Sequence, residues 1–279
     1  MEKDICPEDI DKMNYVQFIS LLRETNRCPG GKQTIQKIIQ NSFIESSSQV
    51  LEIGCNTGFT SLEIARTRKC RVTGIDPVKE AVETAKLQLS LDTDEIKNLV
   101  DFREGSALEI EFPDNKFDLV VTGGATSFID QKQKAIDEYY RVLKPWGFLS
   151  VTNLCYMEAP PAKVVNDVSD LLGVKINAWG PDEWMNVFSK QEKFEIYQLE
   201  KYKLFQREQK FITDYVDIFM AKEHMQLYSE NTKEVIKERW LKTISVFNEN
   251  HKYLGFIMVL FRKSYIQEES ELFSKFKKI

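Results

Sequence analysis

The sequence predicts a doubly wound α/β fold. The expected architecture is a seven-stranded, mostly parallel sheet with a helical N-terminal lid and a helical insertion between the last two strands. Three observations predict it. Short apolar segments alternate with helical ones between residues 45 and 155. A glycine loop, Gly54-Cys55-Asn56-Thr57-Gly58, joins the first apolar segment to a helix. The segment Phe117 to Val121 is nearly all apolar, as a strand covered on both faces should be.

The elements follow in order. Tyr15, Phe18, Ile19 and Leu22 fall at helical spacing, and Cys28-Pro29-Gly30-Gly31 breaks that helix. A second helix carries Ile35, Ile38, Ile39 and Phe43 on one face. Val50 to Ile53 is the first strand, and Arg71 to Ile75 the second. Asp76-Pro77 closes that strand, where aspartate fits a helix N-cap and proline the first helical turn. Leu99 to Arg103, Phe117 to Val121 and Phe148 to Thr152 are the next three strands. Glu195 to Leu204 and Tyr253 to Arg262 are the last two. About 45 residues of helical pattern separate these two, including Tyr215, Phe219 and Trp240, and a connection of that length is read as a cap. Four units result: a lid over 1–44, a core over 45–204, a cap over 205–250, and a last strand and tail over 251–279.

Composition narrows the function. The 279 residues carry 43 acidic against 38 basic side chains, which argues against nucleic acid as the main partner. The longest apolar run, Gly255 to Phe261, is too short to span a bilayer, and the N-terminus lacks a signal-peptide layout. A cytoplasmic protein without a membrane partner is expected. Five cysteines at irregular spacing and two histidines provide no metal-ligand pattern, so free thiols and no metal are expected.

The chemistry sits at the glycine loop. Glycines at 54 and 58 let the backbone turn sharply and approach a ligand closely. Asp76 lies about twenty residues further on, where an acid binds ribose hydroxyls. The spacing is G-x-x-x-G, not the G-x-G-x-x-G of dinucleotide sites, and Glu52 precedes it. A carboxylate there suits an ammonium better than a pyrophosphate. S-adenosylmethionine offers an ammonium, a sulfonium and a ribose, and no phosphate.

Over roughly residues 45 to 155 the chain resembles the class I, Rossmann-like S-adenosylmethionine-dependent methyltransferases. The resemblance rests on Glu52-x-Gly54-x-x-x-Gly58, Asp76, Gly105-Ser106-Ala107, Phe117-Asp118-Leu119-Val120 and Arg141-Val142-Leu143-Lys144-Pro145-x-Gly147, in that order. It implies that Gly54, Cys55 and Gly58 line the methionine end, that Asn56 belongs to the same cofactor site, and that Asp76 binds both ribose hydroxyls. Pro77 and Val78 would border the adenine, Ser106 or Ala107 would meet its amine, and Gly123 would lie beside the cofactor. Many members carry an aspartate where this chain has Ser106. Arg27, in the lid, would pair with the cofactor carboxylate.

For the acceptor, Phe18, Phe128, Asn153 and Tyr156 are the expected contacts, and Glu24 and Glu158 would steer or deprotonate an amine. The stretch Thr122-Gly123-Gly124-Ala125 lacks the Asn-Pro-Pro-Tyr type of motif, which argues against a planar nucleobase or amide nitrogen. The reading is a methyltransferase for a small-molecule or peptide substrate, with nitrogen preferred. An O- or C-methyltransferase of natural-product tailoring and a catalytically silent binding module are the alternatives. The cap helices would pack on the core or join a homodimer.

Overall fold

The computed structural model describes residues 5–25, 27–190 and 193–264. Residues 1–4 and Asn26 of the lid, and the tail over 265–279, lie outside the described residues.

Three helices lead in: α1 (Pro7–Lys12), α2 (Tyr15–Leu22) and α3 (Gly31–Asn41). The Asn14 side chain caps α2 by accepting from the Gln17 N–H at 2.9 Å. The alternation follows: β1 (Gln49–Ile53), α4 (Phe59–Arg68), β2 (Arg71–Asp76), α5 (Lys79–Ser90), α6 (Asp94–Lys97), β3 (Val100–Glu104) and β4 (Phe117–Thr122). A 3-10 turn over Ala125–Phe128 leads to α7 (Lys132–Val142) and β5 (Leu143–Tyr156). Then come α8 (Ala162–Leu172), α9 (Pro181–Ser189), β6 (Phe194–Lys203), α10 (Gln209–Met220), α11 (Glu230–Asn250) and β7 (Leu254–Lys263). No helix among the described residues is long and apolar enough to cross a membrane.

The sheet has seven strands in the order β3-β2-β1-β4-β5-β7-β6, parallel except for β7, which runs antiparallel between β5 and β6. The chain winds one way from β1 to β3 and the other way from β4 onward. The crevice therefore opens where β1 and β4 lie side by side, at their carboxyl ends. One face buries Ile35, Ile38, Leu62 and Val82 under α3, α4 and α5, and the other buries Ile136, Tyr139 and Trp184 under α7 and α9.

Two expectations are corrected. The fifth strand is far longer than Phe148 to Thr152. Its antiparallel register with β7 continues from Phe148 opposite Arg262 to Tyr156 opposite Leu254, which places Asn153 and Tyr156 in the strand rather than in a loop. Two helices, α8 and α9, occupy the stretch before β6, where no element was read from the sequence. The lid and the cap pack against each other. Ile10, Phe18 and Leu22 of the lid share one buried cluster with Val216, Phe219, Ile236 and Trp240 of the cap. Arg239 ties them further by donating to the Ile10 and Met13 carbonyls.

Candidate active site

The loop after β1 is shaped by its glycines. Gly54 and Gly58 hold φ of 72° and 85°, in the left-handed region that favours glycine. A Cβ on Gly54 would come within 2.3 Å of the Ala125 Cβ, so only a bare backbone lets this loop meet the one after β4. The Gly54 and Cys55 N–H groups donate to the Ile75 carbonyl at 2.8 and 3.0 Å, fastening the loop to the end of β2.

Asp76 completes that join. Its Oδ2 accepts from the Asn56 N–H at 2.9 Å and its Oδ1 from the Val78 N–H at 3.0 Å. It does not cap α5, which starts at Lys79 with Val78 as N-cap, and instead holds two loops together. A carboxylate offers about four lone-pair sites, so about two stay available to a diol. Pro77 is exposed and Val78 half-buried at the rim. Across from them a small groove is lined by Ile75, Gly105 and Ser106. The Ser106 hydroxyl accepts from the Leu108 N–H at 3.1 Å, closing its own turn, which leaves its proton to donate.

Glu52 is buried behind the loop. Its Oε2 accepts from the Ser61 N–H at 2.9 Å and the Ser61 hydroxyl at 2.5 Å, at the positive end of α4. Burial pushes its carboxyl up to about 7 in spite of these bonds. The carboxylate is therefore committed to α4, and an ammonium in the crevice would feel it at the cost of sharing it.

The lid closes over this crevice. The Arg27 guanidinium lies 4.9 Å from the centre of the Phe59 ring, at the first residue of α4. A Cβ on Gly123 would lie 2.8 Å from the Cys28 Cβ, so the turn after α2 rests on the backbone just past β4.

The predicted acceptor contacts scatter. Phe18 is in the cap core, edge-on to Trp240 at 6.2 Å and covered by the Arg239 guanidinium at 4.3 Å, so it packs rather than faces a ligand. Phe128 is 64% exposed on the turn after β4. Its neighbour Thr126 is buried and bonds Thr122 and Tyr139 at 3.1 and 3.3 Å. Glu158 is exposed and ion-paired with Lys203 on β6. Asn153 and Tyr156 are buried, and they lie on opposite faces of β5. Glu24 is half-buried at the end of the lid helix and accepts from the Tyr215 hydroxyl of α10 at 3.1 Å.

Residues 51–151 match the methyltransferase domain family. A solved structure of MccD protein superposes with a TM-score of 0.73 and 26% identity, covering 86% of this chain and all of that one. A phosphoethanolamine N-methyltransferase of Plasmodium falciparum is 27% identical over 217 residues, 75% of this chain and 72% of that protein. The Haemonchus contortus phosphoethanolamine N-methyltransferase 2, solved with phosphomonomethylethanolamine and S-adenosylhomocysteine, superposes with a TM-score of 0.67. At 17% identity, covering 95% of this chain and 62% of that one, it is a likeness of fold alone.

The chain is a class I S-adenosylmethionine-dependent methyltransferase.

S-adenosyl-L-methionine is the cofactor of this methyltransferase, and the donor set fits it: a diol acceptor at Asp76, a bare backbone at Gly54 and a cation at Arg27. Cys55 lies in the loop as an inert filler, because burial, then Glu52 and Asp76, push its thiol far up. Tyr215, which bonds Glu24, was not expected from the sequence. The helical spacing of Tyr215 and Phe219 signals packing, and nothing local says that Tyr215 meets a carboxylate 191 residues away.

Proposed function

We propose that this methyltransferase methylates an amine nitrogen of a small-molecule or peptide acceptor bound beneath the lid and cap. The observation that carries the reading is Glu24. It follows the lid helix, half-buried and bonded to Tyr215, with burial pushing its carboxyl above the ordinary carboxylate range. Tyr215, then Lys222 and Arg27, pull it back down.

An alkylamine is protonated near neutral pH and has no lone pair to offer. A carboxylate with a raised pKa is suited to take that proton. The bound cofactor supplies an activated methyl group on its sulfonium. The chain's own residues then align the acceptor and exclude water, which accounts for several kcal/mol of the barrier. Tyr215 orients the Glu24 carboxyl, and Arg27 covers the α4 end of the crevice. The lid and cap meet in one cluster, which suits a small molecule or a chain end. An N-methyltransferase among the relatives, matched over three-quarters of this chain, supports the nitrogen acceptor. Glu158, paired with Lys203, is set aside as a base.

Glu24→Gln should lower kcat/KM for an amine acceptor about a hundredfold and remove the acid limb of the pH–rate profile. The affinity for S-adenosylhomocysteine should stay unchanged. Wild-type turnover in Glu24→Gln, or a methyl group found on oxygen or carbon in the product, would sink the amine reading.

A further inference from the structure

The far end of β5 carries a feature that cofactor binding does not use. β4 ends at Thr122, opposite Val151, so residues 152–156 of β5 flank the loop holding Gly123 and Gly124. A Cβ on Gly124 would lie 3.9 Å from the Thr152 carbonyl oxygen, which puts this strip directly beside the crevice. Alternate residues of a strand share a face. Thr152 pairs with Met258, which belongs to the cluster under the lid, and Leu154 pairs with Phe256, whose ring lies within 2.8 Å of where a Gly30 Cβ would be. Thr152, Leu154 and Tyr156 therefore line up on the lid side.

Two properties set that row apart. Leu154 is 44% exposed although its strand neighbours Asn153 and Cys155 are buried, which leaves an apolar floor. Around that floor stand polar atoms without a hydrogen bond: Thr152 Oγ1, Tyr156 Oη and, at the end of α11, Asn250 Oδ1. All three residues are more than nine-tenths buried, Tyr156 at 6% and Asn250 at 4% exposure. Tyr156 and Asn250 face each other without reaching hydrogen-bond geometry. A buried polar group left unpaired is costly, so three around one apolar floor mark a place for the polar atoms of a ligand.

No group in the row is charged at neutral pH. Burial raises the Tyr156 phenol further, and burial, then Arg207, keeps the adjacent His251 imidazole below its ordinary value. Neither Tyr156 nor Asn250 carries a charge to offset an ion placed between them, and such an ion would be desolvated. We propose that this strip seats the remote end of the acceptor, and that it takes an apolar segment ending in an uncharged carboxamide or peptide unit. Leu154 contacts the apolar segment, and Tyr156 and Asn250 bond the amide. This rests on the methyl-transfer reading for its place in the reaction but not for its test. The amide is a handle, distinct from the amine that receives the methyl group.

The test uses the full chain saturated with S-adenosylhomocysteine, with isovaleramide and isovalerate as ligand-observed NMR probes. Neither probe has an amine, so binding is read apart from turnover. Isovaleramide should bind at least about tenfold tighter than isovalerate. Tyr156→Phe and Asn250→Ala should each weaken isovaleramide about three- to tenfold, with melting temperature and S-adenosylhomocysteine affinity preserved. Equal or tighter binding of isovalerate, binding of neither probe, or no effect of Tyr156→Phe together with Leu154→Gln would overturn the seat. S-adenosylhomocysteine release from leucinamide tests the transfer itself. Amide binding without that turnover supports the seat and removes the amine reading; turnover without amide preference does the reverse.

Discussion

The two walls of the crevice are built in opposite ways. On the cofactor side the joins are short: the Asn56 N–H reaches Asp76, 20 residues on, and the Gly54 and Cys55 N–H groups reach Ile75. On the lid–cap side they span nearly the whole chain. Glu24 meets Tyr215 across 191 residues, and Thr232 donates to the Ile5 carbonyl across 227. The cofactor wall depends on backbone shape, which only certain residues permit. The lid–cap wall depends on which side chains happen to face each other after folding.

That contrast can be broken from either side. Trp240→Ala should have the largest effect, because Trp240 touches Phe18, Tyr215 and Phe219 at the centre of the lid–cap cluster. Stability in denaturant should fall by about 3–5 kcal/mol, with S-adenosylhomocysteine affinity within about threefold of wild type. Loss of both together would show that the two walls are one unit. Gly54→Ala should cost about 3 kcal/mol, since it adds a Cβ 2.3 Å from another at a φ of 72°, and here cofactor affinity should fall with stability. Asp76→Ala strands two backbone N–H groups and the ribose, and calorimetry should record about a hundredfold weaker S-adenosylhomocysteine binding.

The smallest effect is one of pH. Burial places the Glu52 carboxyl near 7, above its ordinary 4.5. A carboxyl raised in the folded state adds stability that is complete below about 4.5 and lost as pH climbs through about 7. A ligand ammonium favours the ionised form, so its binding expels a proton. Affinity for S-adenosylhomocysteine should therefore rise, by up to about tenfold, from about pH 6 to about pH 8, while the melting temperature of the free protein falls. Glu52→Gln should flatten both trends. A flat wild-type profile would mean that the carboxylate serves α4 alone.

The same contrast explains what was legible in the sequence. The seven strands and the glycine loop could be read because apolar runs, Gly54, Gly58 and Asp76 answer to local geometry. The reach of β5 to Tyr156 could not. Asn153 looks like a loop residue, and only β7, a hundred residues later in the chain, extends the pairing. Phe18 sits at helical spacing that is equally compatible with a pocket and a core, and Trp240 decides between them. Glu158 was legible as a carboxylate after β5, whereas its partner Lys203 became a neighbour only through the antiparallel pairing of β6 with β7 across the whole cap.

The contact of Cys28 with Gly123 gives the molecule a clock. The thiol is buried against the backbone past β4, and burial, then Glu52, pushes it up to about 12. It stays protonated and shielded while the turn is down, so alkylation at Cys28 proceeds only as fast as the turn lifts from the backbone past β4, and the labelling rate is a direct readout of that movement.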